Sequence, residues 1–154
     1  MQTHCLNSLS KENKNNLIKT HEIILNQTNN SLIYIFENFG YGSICRQIIN
    51  HINDKEFKYY IKSKPNAFSN TAFRSDIYNQ DIKNIIITGI SANGCVKETI
   101  NNAPKQYVFH TSKDLLGIPK KFDAIETKIL DWYKNNTVMY DSHQDLITKL
   151  NNKY

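Results

Sequence analysis

NIIITGISANGCVKETINNA, running from Asn84 to Ala103, reads as a strand, a tight glycine-bearing loop and a helix. Ile85, Ile86 and Ile87 form a short, wholly apolar, β-branched run of the kind found in a parallel strand covered on both faces. Gly89 and Gly94 allow backbone angles closed to other residues, so the loop between them can turn sharply and present amides to a ligand. Cys95 then falls in the first turn of a helix whose inner face is Val96, Thr99, Ile100 and Ala103, with Pro104 as its stop. A sulfur there lies beside unpaired amides and the positive end of the helix dipole, which suits a thiolate nucleophile. The two glycines are also spaced as in a phosphate-binding loop. Such a loop needs Lys and then Ser or Thr after its second glycine, and Cys95 and Val96 stand there instead, which argues against nucleotide hydrolysis.

Outward from this stretch, β-rich runs alternate with helical spacing. Upstream, Leu17, Ile18, Ile24 and Leu25 mark an amphipathic helix over 10–27, with His21 on its apolar face as a core-edge histidine. A turn is expected at Asn29, Asn30 and Ser31, then a strand over Leu32–Phe36. The glycines of the 37–42 loop read as a flexible turn. Ile44, Ile48, Ile49 and Ile52 give a second helix, with His51 and Cys45 beside its stripe and Cys45 there for packing. The next strand, Phe57–Ile61, delivers Lys62 at its C-terminal end, the edge where open α/β sheets place ligands. Phe73 and Ile77 belong to a short helix leading to the Ile85–Thr88 strand. Downstream come a brief strand over Tyr107–Phe109, a helix marked by Ala124, Ile125, Ile129 and Trp132, a strand over Thr137–Tyr140, and a last helix capped by Asp141 or Ser142. The alternation predicts an α/β, three-layer, Rossmann-like fold, a parallel sheet with helices on both faces.

At 154 residues the chain is expected to form one domain over 1–154, with 1–16 as a variable N-terminal segment. Its net charge is +5 and its pI near 9.0, yet the lysines are scattered among asparagines, so no nucleic-acid partner is expected. Three cysteines, Cys5, Cys45 and Cys95, share no C-x-x-C spacing, so neither a disulfide framework nor a zinc site is indicated. The chain has no apolar run of signal-peptide or membrane-spanning length, and the expected location is cytoplasmic, with no membrane partner.

Two motifs in register resemble the isochorismatase-like cysteine hydrolases, which include isochorismatases, nicotinamidases and N-carbamoyl amidases. One is Ile85 to Ile87 followed by Gly89, Ile90, Ser91, Gly94, Cys95, Val96, Thr99 and Ala103. The other is Lys62 followed by Pro65, Asn66, Ala67, Phe68 and Thr71. The likeness runs more weakly through Tyr107 and Asp114 and spans roughly Leu17 to Leu150. It implies that Cys95 attacks an amide, carbamoyl or related carbon of a small molecule, that Lys62 holds the charges together, and that the backbone amides of Ser91 and Cys95 form the oxyanion hole. It also implies a cis bond between Ile90 and Ser91 and a homo-oligomer. Some family members carry an Asp-x-His metal site near the 37–42 loop; no such spacing occurs there, so no metal is expected, nor any cofactor. Phe68 and Asn66, close to the strand edge that delivers Lys62, are expected to line the pocket.

One element of the family pattern is missing. An N-terminal strand ending in Asp-x-Gln, whose aspartate is the general base, does not occur before Asn30, so the fold reads as truncated at its N-terminus. Asn7, after the short run His4–Leu6, is the nearest polar substitute, and an amide takes no proton at neutral pH. Three readings stay open: a hydrolase with a rearranged base, a catalytically degenerate member that binds a small molecule or a protein, and a fragment of a longer chain.

Overall fold

In the computed structural model, which describes residues 1–27, 32–40, 42–50, 52 and 56–151, every strand ladder between named strands is parallel. The chain opens with a single helical turn, α1 (Thr3–Leu6), where the sequence left room for a strand. Helix α2 (Lys11–Gln27) follows Ser10, whose hydroxyl accepts the Asn13 N–H at 3.1 Å and so satisfies a first-turn amide. Then come β1 (Ile33–Asn38), α3 (Arg46–Asn50), β2 (Phe57–Lys62), α4 (Thr71–Tyr78), β3 (Asn84–Ile86), β4 (Gly89–Ile90), α5 (Lys97–Asn101), β5 (Val108–Ser112), β6 (Leu116–Gly117), α6 (Glu126–Asn136), β7 (Val138–Tyr140) and α7 (His143–Asn151). The Ser142 hydroxyl accepts the Asp145 N–H at 3.2 Å, the cap expected for α7. The turn expected at Asn29–Ser31 and the place of His51 lie outside the described residues.

The strands form three ladders. β1 pairs with β2 from Ile33 opposite Phe57 to Asn38 opposite Lys62, β5 lies between β3 and β7, and the short β4 and β6 pair with each other. Among the described residues neither β1 nor β3 has a ladder partner on its other side. That corrects the reading of Ile85, Ile86 and Ile87 as fully covered: all three are half-buried, because their strand ends a set of three. The strand also stops at Ile86, and Gly89, at φ +140°, starts a separate pair. β5 begins one residue later than expected and runs on to Ser112, while α5 ends at Asn101, two residues short of Ala103.

Alternation along the strands sends neighbouring residues to opposite faces. Ile33 and Ile35 meet Leu17, Ile18 and Ile48 from α2 and α3, and Ile86 meets Ile24 and the α7 residues Leu146 and Ile147. On the other face, Tyr34, Phe36 and Tyr60 join Phe68, Phe73, Ile77, Tyr107 and Phe109, with Ile85 and Ile87 at the margin. Rings in this second cluster lie 4.7 Å apart edge to face (Phe36–Phe73) and 5.6 Å apart stacked (Phe68–Tyr107), geometries aromatic pairs favour. The core on this face therefore binds the β1–β2 pair to the β3–β5–β7 set through side chains where, among the described residues, no backbone ladder does.

The closest approach under the site is at Gly117, where an added Cβ would overlap Ile90 and come within 3.0 Å of Leu17 Cδ2. Gly117→Ala is expected to lower the unfolding free energy by about 1–3 kcal/mol, the usual cost of overpacking, read as a lower urea midpoint with unchanged slope.

Candidate active site

Four side chains pin the segment from Ile87 to Cys95. His21 reaches from α2 to the Thr88 hydroxyl through Nε2, its Nδ1 being held by the Leu17 carbonyl at 2.7 Å. The Thr111 hydroxyl donates to the Ile87 carbonyl (2.9 Å), and the Tyr133 hydroxyl, wholly buried, donates to the Ala92 carbonyl (2.6 Å). Thr99 donates to the Cys95 carbonyl (2.7 Å) and accepts from the Ala67 N–H (3.0 Å), tying the Pro65–Phe68 loop to the turn that carries the sulfur. The turn itself, Ala92–Val96, is wide and kinked at Asn93 and Gly94 before it enters α5, and the Ile90–Ser91 peptide bond is cis.

Cys95 is half-buried at the carboxyl edge of the strands, and the Asn38 side chain donates to its Sγ from Nδ2 at 3.2 Å. Asn38 is the last residue of β1 and lies in register opposite Lys62, the last residue of β2. Lys62 is buried, at 7% exposure, and its ammonium donates to the Pro65 carbonyl. Burial pushes the Lys62 ammonium below its ordinary range, while negative charge at Cys95, and then at Cys5, pulls it back up. Lys62 thus lies within electrostatic reach of the sulfur at the carboxyl end of parallel strands.

Asn38 lies two residues beyond the strand expected over Leu32–Phe36, so the sequence pattern alone does not mark it. The rule that singled out Lys62, a polar group at a strand's carboxyl end, would have found Asn38 too. Asn7, the substitute considered for the missing aspartate, lies on the surface and accepts from Lys14 (3.2 Å). Asn66 uses its side-chain oxygen to cap the next turn at the Phe68 N–H (2.8 Å). The Phe68 ring packs in the aromatic core and borders a shallow groove with Thr71, Arg74 and Tyr107. Cys45 is buried with Leu6, Ile44 and Ile48. Among the described residues no group of three or more His, Cys, Asp or Glu is placed to hold a metal ion, and no described helix is long and apolar enough to cross a membrane.

The fold is isochorismatase-like. The isochorismatase domain model matches residues 35–106, a span holding Asn38, Lys62 and Cys95. No curated protein matches the sequence. Among solved structures, the MAR1 ribonuclease of Caenorhabditis elegans superposes with a TM-score of 0.80 at 12% identity, covering 95% of this chain and 74% of that one. The YcaC gene product of Escherichia coli, described as an octameric hydrolase of unknown specificity, gives 0.76 at 14% identity over 95% and 73%. A pyrazinamidase/nicotinamidase of Streptococcus mutans gives 0.65 at 15% identity over 82% and 86%. At these identities the likeness is one of fold.

His21 couples the site to pH. Burial, first, and then the Met1 ammonium lower its imidazole from 6.5 to about 4, against the Leu17 carbonyl and Asp114, which raise it. A folded-state value below the unfolded one means that the unfolded chain binds the extra proton. The stabilisation is therefore full above pH 6.5 and is lost as pH falls toward 4, a difference of about 3 kcal/mol. Urea unfolding at pH 7.5 and 4.5 should show this loss, and His21→Gln should flatten the dependence over that window.

Proposed function

We propose that this chain is an isochorismatase-like hydrolase site in which Cys95 is the nucleophile, Lys62 its charge partner, and proton transfer the weak step. The observation that supports this reading is the Asn38 side-chain amide on the Cys95 sulfur, with Lys62 in register opposite Asn38 at the end of the adjacent strand. In the proposed reaction the sulfur attacks an amide, carbamoyl or related carbon of a small molecule. The oxygen of that carbon takes negative charge and is met by the backbone amides of Ser91 and Cys95. Nitrogen leaves with a proton, and water then splits the thioester.

The proton is where the site falls short. Among the described residues the side chain hydrogen-bonded to the sulfur is an amide, which donates through Nδ2 and accepts no proton at neutral pH. Asn38 can hold a thiolate in place but cannot pass its proton to a leaving amine. General acid–base help of that kind is commonly worth on the order of 100 to 10,000-fold in rate. A partner chain bearing a carboxylate could restore it, and homo-oligomer assembly is part of the proposal. Phe57, Tyr59 and Ile61 lie exposed along one face of β2, an apolar row suited to a subunit contact. The three free cysteines suit a reducing, cytoplasmic setting.

Two readouts test this. Site-resolved iodoacetamide labelling near neutral pH should modify Cys95 faster than Cys5 or Cys45, and ammonia release from nicotinamide or N-carbamoyl compounds should be slow or absent. Labelling of Cys95 no faster than the other two would defeat the nucleophile assignment, and rapid ammonia release abolished by Cys95→Ala would defeat the weak proton step.

A further inference from the structure

The N-terminal segment that carries Cys5, a thiol the reaction above does not use, is tied to the strand end that holds Asn38. It is fastened there at several points. The Gln2 side-chain amide donates to the Asn38 carbonyl and accepts the Asn38 N–H, each at 2.8 Å, and it also donates to the Gly42 carbonyl at 2.6 Å. Backbone bonds from Cys45 N–H to the Met1 carbonyl (2.8 Å) and from Thr3 N–H to the Ser43 carbonyl (2.9 Å) fix the same segment from the other side. Cys5 follows Gln2 on the single turn of α1, closed by the Leu6 N–H to the Gln2 carbonyl at 3.1 Å. Asn38, gripped by Gln2 through its backbone, gives its side chain to the Cys95 sulfur at 3.2 Å. One residue thus joins the Cys5 segment to the Cys95 sulfur.

The electrostatics agree with this tether. Burial raises the Cys5 thiol, negative charge at Cys95 raises it further, and the Met1 ammonium and Lys62 lower it. Lys62 in turn responds to both sulfurs. Both thiols are half-buried and free, whereas Cys45 is buried in the core.

We propose that Cys5 is the resolving thiol of Cys95, so that a hydroperoxide converts the pair into a Cys5–Cys95 disulfide and reversibly removes the nucleophile. This rests on Cys95 being the reactive sulfur of the site described above. In the first step the Cys95 thiolate attacks the distal oxygen of the hydroperoxide; an S–O bond forms, the O–O bond breaks, and the alkoxide or hydroxide leaves and takes up a proton. The product is Cys95 sulfenic acid. In the second step the Cys5 sulfur attacks the Cys95 sulfur; an S–S bond forms, the S–O bond breaks, and hydroxide leaves as water with the Cys5 proton. The peroxide is reduced, the two thiols are oxidised, and a dithiol reverses the change by exchange. Without Cys5 the sulfenic acid stays open to a second peroxide and to irreversible sulfinic acid.

Trypsin places the three cysteines on separate peptides, 1–11 with Cys5, 20–46 with Cys45 and 84–97 with Cys95. The full chain treated with hydrogen peroxide and digested without reductant should yield peptide 1–11 linked to peptide 84–97, with loss of Cys95 alkylation that dithiothreitol restores. Cys5→Ser should abolish the link and turn Cys95 irreversibly into its sulfinic form under the same dose, while the reduced variant still alkylates at Cys95. Linkage of peptide 84–97 to 20–46 instead, or equal sulfinic acid in wild type and Cys5→Ser, overturns the proposal. Slow alkylation of Cys95 in the reduced, unoxidised protein would instead overturn the nucleophile reading beneath it, so the two failures are told apart.

Discussion

The hydroxyl of Thr99 is the bond on which the site depends. It donates to the carbonyl of Cys95 and accepts from the amide of Ala67, so it holds together two loops more than twenty residues apart in sequence, at a position only 8% exposed. Both partners are backbone groups with few alternatives in that setting, and leaving a buried one unpaired costs about 1–3 kcal/mol. Through this one side chain the strand-end that delivers Lys62 and the turn that delivers Cys95 keep a fixed relation. The other restraints, from His21, Thr111 and Tyr133, act on the strand side of the turn and fix where it starts rather than what it faces.

The sheet beneath is held together differently in its two parts. Within each ladder the backbone supplies the register, but β1 and β3 meet through the aromatic and isoleucine side chains that share a face. At the carboxyl end of β1 the Gln2 amide takes both the N–H and the carbonyl of Asn38, the pair of bonds that a neighbouring strand would make. A side chain there stands in for backbone. This substitution satisfies two polar groups that would otherwise be left at a half-buried strand end, and it orients Asn38 so that its own side chain is free to reach the sulfur.

Much of this was legible in the sequence, for reasons that can be traced. The turn that carries Cys95 was readable because glycine and cysteine at fixed offsets leave few alternatives, and Gly89 does adopt φ +140°. Lys62 was readable because it follows a clear β run. The helices over 11–27 and 143–151 follow from spacing and from hydroxyl caps that the structure contains. What could not be read was long-range. Nothing local in Ile85 to Ile87 tells a strand with two ladder neighbours from one with a single neighbour, since either can be wholly apolar. Asn38 resembles any loop asparagine until the register opposite Lys62 is known. Leu116 and Gly117 pair with β4 over two residues each, too short a ladder for a period to declare itself.

The divided sheet has a mechanical consequence. Asn38 and Lys62 ride on the β1–β2 pair, whereas Cys95 is carried from the far side of the seam, beyond β3 and β4. Packed side chains resist separation well but resist sliding less than a hydrogen-bonded ladder does. A small shear of one part past the other therefore appears almost undiminished as a change in the 3.2 Å span between Asn38 and the sulfur. The site behaves as a gauge of how firmly the two halves are pressed together. Whatever stiffens the seam sets the stance of the Cys95 sulfur without touching it.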